Sequence, residues 1–427
     1  MSSTRKDRRS RRRKMLGAGV RTIGRGVLST MPGGDQVLSW KRTGEDWYDT
    51  LGNLRGAAMK LGQIASQYHD VLPPAITEQL AKLQRDAEPL DFEDIEPVLA
   101  ESLGDAQYAR IQTIEPEALA AASIGQVHAA TLDTGAEVVI KIRYPGVADA
   151  VDADIANLGR LLKWSRFLPA RAGDIDAVLA ELRERFVEET DYDRERINLI
   201  HLRAMNLPGQ VFPEPIPELC ADGVLTMTRI DAAPFTEAAP ETAEILVEGV
   251  CRQVFTYGAL HADPHPGNFG ILDTGEVAVY DLGCVKYLEL DTRRAMRDIV
   301  AAGLDRDWEG VHAALEDLGG VPPGRWESDN EIYANLYQSF ADIVLNALED
   351  KPVYTFVNDD LIQRLRTELR TSLAYWRYFN AVPETIFVMR TLSGLYWLLR
   401  QIEGRAPVLD LLERIANNEF GPFEDST

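Results

Sequence analysis

Between Leu260 and Gly283 the chain reads LHADPHPGNFGILDTGEVAVYDLG, and this stretch constrains the fold more than any other. Pro264, Pro266 and Gly267 exclude a helix interior or a central strand, so Asp263 and Asn268 sit on a loop. Apolar runs flank Asp273-Thr274-Gly275, a pattern that predicts strand, tight turn, strand. That hairpin returns the chain to Asp281-Leu282-Gly283. A carboxylate, an amide and a second carboxylate are thus delivered by one loop and one hairpin end. A Pro/Gly turn alone leaves Asp281 unexplained. The alternating His261, Asp263 and His265 could instead ligate a transition metal, but the chain holds only six histidines and offers no second cluster.

The set fits the demands of phosphoryl transfer. One carboxylate, Asp263, can orient or deprotonate an attacking hydroxyl. An amide oxygen on Asn268 and a carboxylate on Asp281 can hold Mg²⁺ against the phosphates of ATP. Upstream, Lys141 interrupts the apolar run VVIKIRY. A lysine in such a strand either reaches an edge or meets an anion, and in kinases that lysine grips the nucleotide phosphates. One element is missing. A glycine-rich phosphate loop should precede Lys141, but the chain there reads ALAAASIGQVHAA. Ala120, Ala121, Ala122, Ser123, Gly125 and Gln126 stand in its place. Alanines still let backbone N–H groups approach phosphates, with less φ freedom than glycine.

The rest of the chain is ordered around these residues. Gly44–His69 and Ala75–Asp86 read as helices separated by Pro73-Pro74, and Asp91 as the N-cap of a helix through Leu103, ended by Gly104. Short β-branched runs follow: YARIQTI, SIGQVHAATL and EVVIKIRY, the last two joined by an Asp133–Gly135 turn. Val147–Phe167 and Asp174–Met205 are predicted helices, and Val224–Ile230 a strand. Beyond Pro234 the pattern is helical except for the hairpin. These patterns give an α+β chain: a basic tail (1–40), a helical extension (41–104), a β-containing lobe (105–231) and a mostly helical lobe (232–427). The order is that of a protein-kinase fold.

Composition sets the surroundings. With 45% hydrophobic and 26% charged residues in 427, the chain has the balance of a soluble globular protein. No signal peptide or membrane-spanning run is expected: Ala381–Leu399 is interrupted by Pro383, Glu384 and Arg390 and reads as a buried helix. Three cysteines fit a reducing cytoplasm. The net charge is −22, yet the first 25 residues hold eight Arg and two Lys against one Asp. That tail is either a solvated leader or a ligand for an anionic membrane surface. Specific nucleic-acid binding is not expected, because the acidic body repels phosphates. Oligomeric state is not readable from the pattern.

The alanine-rich loop, AMKLGQ, ETDYDRERIN, HADPHPGN and DLG together resemble the UbiB/AarF-domain-containing family of atypical kinases. The resemblance runs by motif from Leu54 to Gly283. It implies a bilobal protein-kinase-like fold with a helical K-x-G-Q extension packed where a protein kinase receives its peptide. It also implies binding of ATP and Mg²⁺, ATPase or small-molecule kinase activity, and a link to isoprenoid quinone or lipid metabolism. In this chain Lys60 and Gln63 are the polar K-x-G-Q residues. Glu189 and Asp191 match the family's E-x-D pair, expected to face Lys60. Glu195 is the expected ion-pair partner of Lys141, with Glu189 the alternative. Leu282 replaces the usual Phe of D-F-G, and Thr228 stands where a hinge Glu is common.

Overall fold

The computed structural model describes residues 89–121, 124–147, 152, 155–156, 179–180, 183, 186–349, 351–357 and 360–421. The expected helices at Gly44–His69 and Ala75–Asp86, the basic tail, and Lys60, Gln63, Ala122 and Ser123 lie outside the described residues. The chain divides into two compact units. One runs to Ile197 and takes in Pro215–Arg229; the other comprises Asn198–Glu214 and Ile230–Thr427.

In chain order the elements up to residue 228 are α1 (Phe92–Leu103), β1 (Ile111–Ile114), β2 (Ala120–Ala121), β3 (Gly125–Leu132), β4 (Glu137–Arg143), α2 (Tyr192–Ala204), β5 (Gln210–Val211) and β6 (Val224–Thr228). Strands β1, β3, β4 and β6 form an antiparallel sheet in that order, with β2 paired to β3. The Asp133–Gly135 turn closes β3 onto β4, with Gly135 at φ +80° and the Leu132 N–H donating to the Ala136 carbonyl at 3.0 Å. Positive φ is open to glycine without steric penalty, which is why the turn ends on one.

Helix α1 lays Ile95, Leu99 and Leu103, spaced four apart, onto Ala130, Leu132, Val138 and Ile140 of the sheet. The helix ending at Gly104 therefore contributes its apolar stripe to the core of the first unit. Residues Asn198–Glu214 group with the second unit, where β5 pairs in parallel with the strand Val277–Val279. The helix expected over Asp174–Met205 is also interrupted at Asp191, where α2 begins.

The second unit continues with β7 (Ala233–Pro234), α3 (Thr242–Cys251), β8 (Ala259–His261), β9 (Phe269–Ile271), β10 (Val277–Val279) and β11 (Val285–Tyr287). Helices α4 (Leu290–Leu304), α5 (Trp308–Asp317) and α6 (Trp326–Leu348) follow, then β12 (Tyr354–Thr355), α7 (Leu361–Thr371), α8 (Pro383–Gln401), β13 (Arg405–Ala406) and α9 (Val408–Ala416). Strands β5, β10, β9 and β7 make one small sheet, and β8 with β11 another. Val254, Leu260, Leu288, Val388 and Leu411 meet in one core beneath them. Tyr333 and Tyr337 center a second one with Val311 and Val321. Val388, Thr391, Leu395, Tyr396, Leu398 and Leu399 of α8 are buried. Among the described residues no helix is long and apolar enough to cross a membrane.

Candidate active site

In the first unit, Lys141 projects from β4, whose neighbors Ile140 and Ile142 are fully buried. Its Nζ donates to both carboxylate oxygens of Glu195, each at 2.8 Å. Lys141 is 6% exposed and Glu195 2%, so this is a desolvated pair. The ammonium also lies 5.1 Å from the center of the Tyr192 ring, a cation–π distance. Of the two candidate partners for Lys141, the structure thus supplies direct bonds to Glu195, one helical turn into α2. Glu189 is half-buried just before α2, while Asp191 is exposed. Asp191 Oδ1 accepts the Arg194 N–H at 3.0 Å, the N-cap arrangement that starts α2.

The alanine-rich segment is partly visible. Ala120 and Ala121 pair with Val127 and Gln126 across a narrow hairpin. Gly125 has a steric explanation: a Cβ there would collide with the Ile142 carbonyl and the Tyr192 hydroxyl. Gln126 is fully buried, and its amide is engaged inside the protein. Its Oε1 accepts the Leu90 N–H at 2.8 Å, its Nε2 donates to the Leu90 carbonyl at 3.1 Å, and His128 Nε2 lies 2.8 Å away. This side chain ties the chain entering α1 to β3.

In the second unit, both ends of the candidate loop are fixed by ladders. Val285 pairs with His261 where β8 meets β11, and the Ala262 N–H donates to the Cys284 carbonyl at 2.9 Å. At the other end Phe269 pairs with Val279, and the Tyr280 N–H donates to the Asn268 carbonyl at 2.9 Å. The register therefore brings Asn268 beside the strand end that leads into Asp281. The turn at Asp273–Gly275 closes as expected, with Gly275 at φ +85°.

Within this frame Asn268 Nδ2 donates to the Asp263 carbonyl at 3.0 Å and to Asp263 Oδ2 at 3.1 Å. The amide is oriented by those bonds, which leaves its oxygen as the atom suited to a cation. Asp281 Oδ1 accepts the Gly283 N–H at 2.9 Å. One amide oxygen and one carboxylate form a hard oxygen donor set, which fits Mg²⁺ with its remaining positions filled by water and phosphate. His261 is buried, its ring bonded to the Asp281 backbone, and burial holds its pKa below the ordinary histidine value despite the nearby Asp263 and Asp281 carboxylates. A neutral imidazole there serves as a strut. His265 is exposed, and its Nδ1 accepts the Gly267 N–H at 3.1 Å.

Two supports were not singled out from the sequence. The turn Arg252–Tyr257 is a π-helix, and it directs Gln253 Oε1 onto the His261 N–H at 2.9 Å. Asn198 Nδ2 donates to the Leu282 carbonyl at 2.9 Å, and its Oδ1 accepts from the Tyr287 hydroxyl at 2.9 Å. Asn198 is the last residue of ETDYDRERIN, so a signal for it was present in the motif.

A family model described as the ABC1 atypical kinase-like domain matches residues 82–315, more than half of the chain. The chain belongs to the ABC1 atypical kinase-like family. Within that family it is 30% identical to "Atypical kinase COQ8, mitochondrial" of Saccharomyces cerevisiae over 414 residues, covering 93% of this chain and 82% of the relative. It is 29% identical to "Probable protein kinase UbiB" of Sodalis glossinidius over 425 residues, covering 90% and 77%. The solved structure of the Rv3197–erythromycin complex from Mycobacterium tuberculosis matches with a TM-score of 0.58 over 89% of this chain and 97% of that one, at 24% identity. That likeness establishes the shared fold. The ABC1 atypical kinase-like domain thus takes in Lys141, Glu195, Asp263, Asn268 and Asp281 together.

Proposed function

We propose that this chain is a Mg-ATP-dependent enzyme that hydrolyses ATP or transfers its γ-phosphate to a small or lipid-like acceptor. The observation that carries the reading is the Asn268 amide, held by Asp263 through its nitrogen so that its oxygen is left for a metal ion. Asn268 and Asp281 are the residues to hold Mg²⁺, which when bound neutralizes charge on the phosphates. Lys141, oriented by Glu195, is the residue to hold the phosphates. Asp263 is the residue to orient a water molecule or an acceptor hydroxyl. The narrow hairpin at Ala120–Ala121 supports a nucleotide cover built from backbone rather than from glycine flexibility. Family resemblance adds the link to isoprenoid quinone or lipid metabolism.

Equilibrium titration with a non-hydrolysable ATP analogue, with and without Mg²⁺, tests the reading. Binding that strengthens with Mg²⁺ in the native chain, and loses that dependence in Asn268→Leu, supports it. Binding that is absent, or indifferent to Mg²⁺, overturns it.

A further inference from the structure

The peptide group between Leu282 and Gly283 is held on both of its edges. On one edge the Gly283 N–H donates to Asp281 Oδ1 at 2.9 Å. On the other the Leu282 carbonyl accepts from Asn198 Nδ2, also at 2.9 Å. A peptide group is planar, so its two edges turn together. Through one rigid plane, Asn198 therefore fixes the hydrogen bond that orients the Asp281 carboxylate. The Leu282 side chain is 1% exposed and packed in place. With that side chain held, the segment can still rotate the plane, through ψ of Leu282 and φ of Gly283. Glycine does not resist such a rotation, because positive φ is open to it without steric penalty. Asp-Leu-Gly thus needs an outside anchor to keep the plane in one orientation.

Asn198 has the features of that anchor. It is 1% exposed, and the other end of its amide is also engaged: Oδ1 accepts from the Tyr287 hydroxyl at 2.9 Å. A carbonyl can only accept, so the amide nitrogen must face Leu282 and the oxygen Tyr287. Tyr287 closes β11, paired with Ala259 of β8. Its ring stacks on His201, with centers 5.6 Å apart and planes at 13°. His201 follows Asn198 by three residues on α2, so both side chains leave one side of that helix. His201 Nδ1 lies 3.3 Å from the Tyr287 hydroxyl, which gives its own proton to Asn198.

We propose that Asn198 is a positioning residue for the metal carboxylate: by locking the peptide after Leu282 it sets how tightly the site takes Mg²⁺. The inference rests on the Mg-ATP reading of Asn268 and Asp281. When the plane is free to rotate, the Gly283 N–H leaves Asp281 Oδ1 and the carboxylate must be ordered by the cation itself. Removing a group that orients a metal ligand without touching the ion typically costs about 10–100-fold in metal affinity. The loss falls on the metal and not on the nucleotide, since the plane's N–H ends on Asp281.

Binding of a non-hydrolysable ATP analogue to the full chain, titrated against Mg²⁺, reads this without turnover. Asn198→Leu keeps the approximate volume and removes the donor. In that variant the Mg²⁺ concentration for half-maximal enhancement of binding should rise about tenfold or more, while affinity without Mg²⁺ stays native. A merely structural Asn198 would lower both affinities or neither. Tyr287→Phe, at a residue 39% exposed, should move the Mg²⁺ midpoint the same way by a smaller factor, and it serves if Asn198→Leu does not fold. Hydrogen exchange over residues 281–284, in the chain without metal or nucleotide, separates this inference from the reading beneath it. The Gly283 N–H should exchange faster in both variants. An unchanged Mg²⁺ midpoint in the folded variants overturns the proposal, and so does unchanged exchange. A native chain that binds the analogue without regard to Mg²⁺ overturns the underlying reading and the role toward the metal with it, while exchange still reports whether Asn198 locks the plane.

Discussion

Glu195→Ala removes the carboxylate that the ammonium of Lys141 bonds inside the first unit. Both partners are almost fully buried, and the two 2.8 Å bonds to Glu195 compensate the desolvated charge. Removing one partner of such a pair destabilizes by ~3–5 kcal/mol, whereas replacing both by apolar groups of similar volume is near neutral or stabilizing. The structure therefore predicts a strongly non-additive cycle. Glu195→Ala should lose ~3 kcal/mol or more, and Lys141→Met with Glu195→Leu should recover most of that loss. With a urea dependence of ~1–3 kcal/mol per molar, a 3 kcal/mol loss lowers the unfolding midpoint by about 1–3 M. Urea titration followed by circular dichroism reads this directly, provided the transition is resolved for the first unit. A Glu195→Ala effect below ~1 kcal/mol would place the pair in the class of exposed ion pairs and refute the argument. So would a double variant as unstable as the sum of the singles.

Three further outcomes follow from the packing. Gly125→Ala should destabilize by ~1–3 kcal/mol, because the added methyl meets the Ile142 carbonyl and the Tyr192 hydroxyl; an unchanged melting temperature would contradict this. Asn198→Ala strips the donor from the buried Leu282 carbonyl and should lower stability by ~1–3 kcal/mol, checked by the same urea titration. Burial lowers the pKa of both His261 and His312, so each is favored neutral in the folded protein. The unfolded chain takes up those protons first, near pH 6.5, so stability is full above about pH 6.5 and declines as pH falls through the depressed folded values. A urea midpoint that stays flat from about pH 7.5 to pH 5.5 would contradict that sign.

Much of this fold was legible because its local signals agree with one another. The two Asp-Thr-Gly turns, the apolar strands around Lys141 and the Pro/Gly loop each carry strong backbone preferences, and the structure places a hairpin, a strand or a loop at each. The break in the long helix at Asp191 was hidden, because ERFVEETDYDRERIN is rich in helix formers on both sides and only the capping bond to Arg194 reveals the restart. Gln126 carries a related ambiguity. A polar side chain beside an expected ligand loop reads as a ligand contact, yet a buried amide can equally be satisfied by backbone distant in sequence, here Leu90. The π-turn that aims Gln253 has no compositional signature at all. The run Ala381–Leu399 was legible as a helix expected to be buried, but which of its residues the core covers is set by packing and not by periodicity.

If Asn268 and Asp281 hold the metal of a working Mg-ATP site, as proposed, the purified full chain releases ADP in a Mg²⁺-dependent manner, and that turnover is lost in Asp281→Asn and in Lys141→Ala. Turnover that survives Asp281→Asn would contradict that assignment, and tight Mg-ATP binding without turnover under any condition would replace the enzyme with a nucleotide-gated scaffold.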